Sequence, residues 1–182
     1  MLKHKKPVDL TPSSFLLNCL NIIKLNSDAI ILDMPCGYGR NSILMSSIVN
    51  QVVSADYDQD IIDDLWNKKY KNIKLIKLDA NNELPFENKK FELVSIIHYV
   101  NLNFFNNVIR CIKPEGYLII ETYAGNGGNW ISLPTKKEIE DILFNEFKII
   151  KFKYNIVGPD KNKVSFRLLA KKLSIMGSPQ KK

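Results

Sequence analysis

At 182 residues the chain has the length of one compact domain, because two separate cores would each bury too little apolar surface. Its 45% hydrophobic and 25% charged residues exclude disordered and collagenous classes, and no run approaches the roughly 20 apolar residues needed to cross a bilayer. A net charge of +7 suits phosphate backbones, yet the lysines are scattered and only Arg40, Arg110 and Arg167 carry the bidentate fork, so nucleic acid is the lesser expected partner and a small molecule the greater.

Taken in chain order, Thr11 offers a capping hydroxyl before Pro12, and Phe15, Leu16, Cys19, Leu20 and Ile23 follow at helical spacing. This predicts an opening helix over 12–24. The apolar run 29–33 reads as a strand buried on both faces of a parallel sheet, 40–49 as a helix, and 51–56 as a second strand. A helix over 58–69, a strand over 73–78, a loop through Asn81, Asn82 and Pro85, and a fourth strand over 91–97 continue the alternation. A helix over 102–112 and a fifth strand over 116–122 follow. After a helix over 135–144 come two strand-like segments, 147–156 and 163–172, joined by a turn-rich connection short enough for a hairpin.

The pattern is α/β: a doubly wound, Rossmann-like, mostly parallel seven-stranded sheet that ends in an antiparallel hairpin. One domain is expected over 1–173, with 174–182 a frayed tail. Cys19, Cys36 and Cys111 lie far apart without a histidine at ligand spacing, so neither zinc nor a redox dithiol is expected. The basic start Met1 to Pro7 has no apolar stretch behind it, and the chain is read as soluble and cytoplasmic.

The chemistry concentrates between the first strand and the helix after it, in Asp33-Met34-Pro35-Cys36-Gly37-Tyr38-Gly39-Arg40. This is the carboxyl edge at which open α/β sheets bind ligands. Gly37 and Gly39 allow close backbone approach, and the helix start offers free N–H groups to an anion. For a nicotinamide dinucleotide the third glycine of the fingerprint would fall at Ser42, which counts against a dehydrogenase. Asp33 would repel a pyrophosphate but suits a cationic amino group, such as the methionyl end of S-adenosylmethionine presents. A purely structural turn accounts for the glycines, though less readily for the acid before them. Asp56, with Tyr57 after it, ends the second strand, where a carboxylate takes both ribose hydroxyls. Asp79 and Ala80 end the third, where a carboxylate and a backbone N–H meet the adenine edge.

In this order the blocks resemble a class I S-adenosylmethionine-dependent methyltransferase: the glycine loop, Asp56, Leu78-Asp79-Ala80, the run from Phe91 to His98, and Ile112 to Ile120. The segments Asp33 to Ser42 and Ile119 to Tyr123 are similar to the small tellurite-resistance-type methyltransferases. The resemblance covers roughly residues 28–172, and implies the donor S-adenosylmethionine, the product S-adenosylhomocysteine, and a cofactor site of Asp33, Pro35, Cys36, Gly37, Gly39, Arg40, Asp56, Tyr57, Asp79, Ala80 and His98. The family's Pro-Gly-Gly turn before the fifth strand is Pro114-Glu115-Gly116 here, which should leave the fold intact.

His98 and Tyr99 follow the fourth strand and face the expected methyl position, as the candidate catalytic pair. His98 is read either as a base or substrate orienter, or as a residue packing on the cofactor through its backbone. Arg40 either anchors the glycine loop, meets the cofactor carboxylate, or is a solvated helix-start residue. Ile97-His98-Tyr99-Val100 lacks the Asp/Asn-Pro-Pro-aromatic sequence of amino-group methylases on nucleobases. The expected walls of the acceptor site are the N-terminal segment up to Phe15, the stretch 98–105 and the glycine-rich stretch 123–133 with Trp130, the last read as a flap or a plain connection. A small-molecule acceptor (thiol, oxyanion, amine or carboxylate) is the leading expectation. RNA methylation, a noncatalytic S-adenosylmethionine-binding protein and an NAD-type oxidoreductase are the alternatives.

Overall fold

The computed structural model describes residues 10–99, 101–125, 136–143, 146–157 and 163–174. Helix α1 covers Ser14–Leu20, and Ser13 rather than Thr11 is its cap, its Oγ accepting from the Leu16 N–H at 3.1 Å. The cap falls one residue past Pro12 because Ser13 is also held by Asn41 and Glu121, partners far off in sequence. Strand β1 is Ile30–Asp33 and α2 is Arg40–Ser46. The second helix stops short of the predicted 49 where Ser46 and Ser47 turn their hydroxyls back to the carbonyls of Ile43 and Leu44, in competition with the helical ladder.

Strand β2 spans Gln51–Asp56, and α3 spans Gln59–Asn67 behind an Asp58 cap that accepts from the Asp60 N–H. Then come β3 (Ile73–Lys77), β4 (Phe91–Ile97) and α4 (Leu102–Cys111), the last capped by Asn101. Strand β5 runs over Ile112–Gly125, four residues earlier than the sequence pattern predicts. Its start pairs Ile112 with Phe91, and the register then slips so that Tyr117 meets Leu93. The Pro114-Glu115-Gly116 turn is therefore a bulge inside a strand. Glu115 takes φ +65 there, and a Cβ on Gly116 would lie 2.9 Å from the Lys113 carbonyl oxygen, which explains why the second glycine is kept. Helix α5 is Lys136–Leu143, and β6 (Phe147–Val157) and β7 (Lys163–Lys172) complete the chain's elements.

The seven strands lie in the order β3-β2-β1-β4-β5-β7-β6. Pairings are parallel from β3 to β5 and antiparallel from β5 through β7 to β6, as expected of a doubly wound sheet closed by a hairpin. One core layer packs Phe104, Phe105 and Val108 of α4 on the sheet, and another packs Leu16, Cys19 and Met45 of α1 and α2 on its opposite face. Strand order reverses between β1 and β4, which opens a crevice at their carboxyl ends. Among the described residues no helix is long and apolar enough to cross a membrane. The expected hairpin turn at 158–162, most of the flap stretch with Trp130, and the tail beyond 174 lie outside the described residues.

Candidate active site

The loop leaving β1 turns twice into the left-handed region, at Gly37 (φ +50) and Gly39 (φ +78). The two glycines serve different ends. A Cβ on Gly37 would meet nothing within 4 Å, so the bare backbone borders open space, whereas one on Gly39 would lie 2.5 Å from Leu65 Cδ2 of α3. Gly39 therefore caps α2 and lets α3 pack against it. The Cys36 N–H donates to the Ala55 carbonyl at 2.9 Å, tying the loop to β2. Burial pushes the Cys36 thiol up, so it stands as an inert wall.

Asp56 is 4% exposed at the end of β2. Its Oδ2 accepts from the Gly37 N–H at 2.9 Å and its Oδ1 from the Asp58 N–H at 3.1 Å, so one carboxylate braces the glycine loop and starts the next helix. Two oxygens have about four acceptor positions, which leaves others for a ligand. Asp33 differs. It is fully buried beneath the loop, where Ser42 Oγ donates to its Oδ2 at 2.5 Å. Burial pushes its carboxyl up to about 7, against the opposing pull of the Ser42 and Ser95 hydroxyls. Ser42, at the position of a dinucleotide fingerprint's third glycine, is thus the buried acid's partner.

At the end of β4, His98 adopts φ +62 and donates its N–H to the Glu121 carbonyl at 2.7 Å. Burial first, and then the Arg40 guanidinium, hold its imidazole below the usual histidine range, with Glu121 opposing, so the ring is neutral at pH 7. Tyr99 packs edge-on to Phe104 with centroids 5.4 Å apart and donates to Asn81 Oδ1 at 3.1 Å. Its phenol is pushed up, mainly by burial. Arg40, the first residue of α2, reaches back to the Thr11 carbonyl at 3.2 Å.

These groups line a cavity of about 550 Å³ at the β1–β4 crevice. It brings together Pro35, Cys36, Gly37 and Arg40 from the loop side, Asp56 and Tyr57 from β2, and His98 and Tyr99 from β4. Asp33 and Gly39 do not line it; they support the loop from behind. Asp79 and Ala80 do not line it either. Asp79 is exposed and accepts from the Asn81 backbone and side chain, both at 2.9 Å, so it reaches the cavity only through Asn81 and Tyr99, while Ala80 is buried in the core. Leu10, Tyr38, Asn41, Ile61 and Ile97 also line the cavity and were not singled out from the sequence. Tyr38 and Asn41 sit within the loop motif and could have been included; Leu10 falls in the N-terminal segment up to Phe15, which the sequence reading expects as a wall of the acceptor site.

Residues 31–116 match the family model described as a methyltransferase domain. No curated protein sequence matches the chain. Among solved structures, an S-adenosylmethionine-dependent methyltransferase from Methanosarcina mazei is similar with TM-score 0.66 and 18% identity, over 90% of this chain and 99% of that one. A geranyl diphosphate methyltransferase in complex with S-adenosylmethionine gives 0.71 and 12%, over 87% and 83%. The [4+2]-cyclase SpnF gives 0.69 and 13%, over 87% and 79%. At such identities the structures show the fold, and the cyclase among them shows that the fold does not dictate the chemistry. The match to the methyltransferase-domain model favours methyl-transfer chemistry over the NAD-type alternative; the tellurite-resistance-type resemblance is finer than these comparisons reach. That match runs from inside β1 to Gly116, across the glycine loop, Asp56 and His98, so this part of the chain is similar to methyltransferase domains.

Proposed function

We propose that the protein methylates a small-molecule acceptor (thiol, oxyanion, amine or carboxylate) by in-line displacement, with the donor held in the β1–β4 cavity. The observation that carries this reading is the convergence of a bare glycine loop, a braced carboxylate and a neutral imidazole on one cavity of about 550 Å³. That volume lies in the ~300–1,000 Å³ range of small-ligand pockets. The residues fit the donor chemically. Gly37 leaves its backbone open, Asp56 has acceptor positions left for ribose hydroxyls, and the Arg40 guanidinium suits a carboxylate. Tyr57, 51% exposed beside Asp56, offers a ring face to the nucleoside.

Bound there, S-adenosylmethionine supplies an electrophilic methyl carbon on a sulfonium. The protein's own task is chiefly to align the acceptor and exclude competitors. A thiolate or oxyanion needs no base, whereas an amine must first lose a proton, which an imidazole nitrogen of neutral His98 can accept. Tyr99, its hydroxyl fixed by Asn81, forms the neighbouring wall and orients the acceptor. The geranyl diphosphate methyltransferase, by its name an enzyme of a small-molecule acceptor, supports this choice by analogy of fold.

Thermal-shift titration followed by a product assay tests the proposal. S-adenosylhomocysteine at a hundred times its Kd should stabilise the protein by about 2.7 kcal/mol. A response to NAD alone would contradict the assigned donor. S-adenosylhomocysteine formation should then appear with a thiol, oxyanion, amine or carboxylate, and formation with RNA alone would overturn the acceptor class.

A further inference from the structure

Leu10 lines the cavity, and the hydrogen bonds that hold residues 10–13 beside it come from separate elements. Arg40 Nη1 donates to the Thr11 carbonyl at 3.2 Å, and the Ser13 N–H donates to Asn41 Oδ1 at 2.9 Å. Ser13 Oγ, while capping α1, donates to Glu121 Oε2. Glu121 is 4% exposed within β5, beside Ile97 at the end of β4, and its Oε1 accepts from Arg167 Nε of β7 at 2.7 Å. The Arg167 guanidinium in turn lies 5.8 Å from the centroid of the Phe15 ring on α1.

A carboxylate this deep is costly unless it is paired and hydrogen-bonded. Of its two partners, Ser13 follows the cavity-lining Leu10 by three residues and Arg167 belongs to β7. The Glu121 main chain works towards β4, where its carbonyl accepts the His98 N–H at 2.7 Å and helps hold that residue at φ +62, which a non-glycine residue keeps only when its surroundings impose it. One residue thus fixes two walls, residues 10–13 through its side chain and His98 through its backbone.

We propose that Glu121 is a positioning residue of the methyl transfer: it latches residues 10–13 beside the cavity through Ser13, and it sets the position of His98 and the charge His98 faces. This rests on reading His98 as the acceptor-side group. The charged groups acting on the imidazole are Arg40 from α2 and Glu121 from β5, with Arg167 from β7 behind Glu121, and the first two pull in opposite senses. Glu121→Gln removes the charge and keeps one acceptor oxygen, for Arg167, while its amide can donate to Ser13 Oγ. Ser13→Ala removes the latch and, with it, the α1 cap, while leaving the charge of Glu121 in place.

The chain has two histidines, His4 and His98, so the imidazole proton resonances can be titrated and assigned with one variant. In Glu121→Gln the His98 midpoint should move to lower pH while His4 stays put. Hydrogen exchange over residues 10–20 should rise at least about tenfold in Ser13→Ala and in Glu121→Ala. An unmoved His98 midpoint in Glu121→Gln overturns the proposal, as does unchanged exchange in Ser13→Ala, which keeps the buried ion pair and so tests the latch even where Glu121→Ala does not fold. None of these readouts requires an acceptor. A turnover unaffected by His98→Ala would instead sink the acceptor-side reading, so the two failures are distinguishable.

Discussion

At the β1–β2 end of the cavity the groups come from one short stretch of chain, Asp33 to Tyr57, and meet through local turns and a single carboxylate brace. At the β4–β5 end, residues 10–13, His98, Glu121 and Arg167 come from four places in the sequence and meet through tertiary hydrogen bonds. The proposed donor end is built from parts that belong to the sheet edge. The proposed acceptor end is assembled from side chains brought together by contacts between distant segments. Variants at the first should therefore act on stability and cofactor affinity, and variants at the second on turnover and local order.

The largest effect should come from the acid beneath the donor loop. Because burial raises the Asp33 pKa from an ordinary 3.8 to about 7, the native state holds a proton there that the unfolded chain has already released. Its contribution to stability is complete below about pH 4 and is lost as pH rises towards 7, by at most about 4 kcal/mol. Asp33→Asn keeps an acceptor for Ser42 and should remove that slope. Urea midpoints of both proteins from pH 4 to 8 would show it as a difference, and parallel curves would mean Asp33 is not protonated in the native state.

Next in size is Gly39→Ala. A left-handed φ and a 2.5 Å approach to Leu65 Cδ2, itself buried, should together cost about 2–4 kcal/mol. A fall in Tm of about 5–15 °C is expected by calorimetry. An unchanged Tm would break the claim that Gly39 lets α3 pack against the loop, since α3 would then have yielded freely.

The same contrast governs what could be read from the sequence. Strands β2, β4 and β7 fall where the apolar runs place them, since a strand buried in a sheet writes its burial into consecutive residues. The glycine loop and Asp56 were legible because turn chemistry and strand ends are local. Asp33 was recognised as unusual, but its place behind the loop depends on Ser42 of the next helix, so its direct contact with a cofactor was not foreseeable as wrong or right from spacing. Glu121 lay inside a quoted motif without drawing notice, because its partners Ser13 and Arg167 are 108 and 46 residues away. The early start of β5 was missed for a similar reason, as a bulge that pairs only with Phe91 looks like a turn when read alone.

The most direct test of the account is calorimetric titration of S-adenosylhomocysteine into wild type, Asp56→Ala and His98→Ala side by side. Lost ribose hydrogen bonds should cost Asp56→Ala about 1–3 kcal/mol, a weakening of about 5- to 150-fold, with the fold retained. His98→Ala should bind within about twofold of wild type, because its part lies with the acceptor. Equal affinities for wild type and Asp56→Ala, or a loss in His98→Ala as large as that in Asp56→Ala, would contradict the division of the cavity into a donor end and an acceptor end.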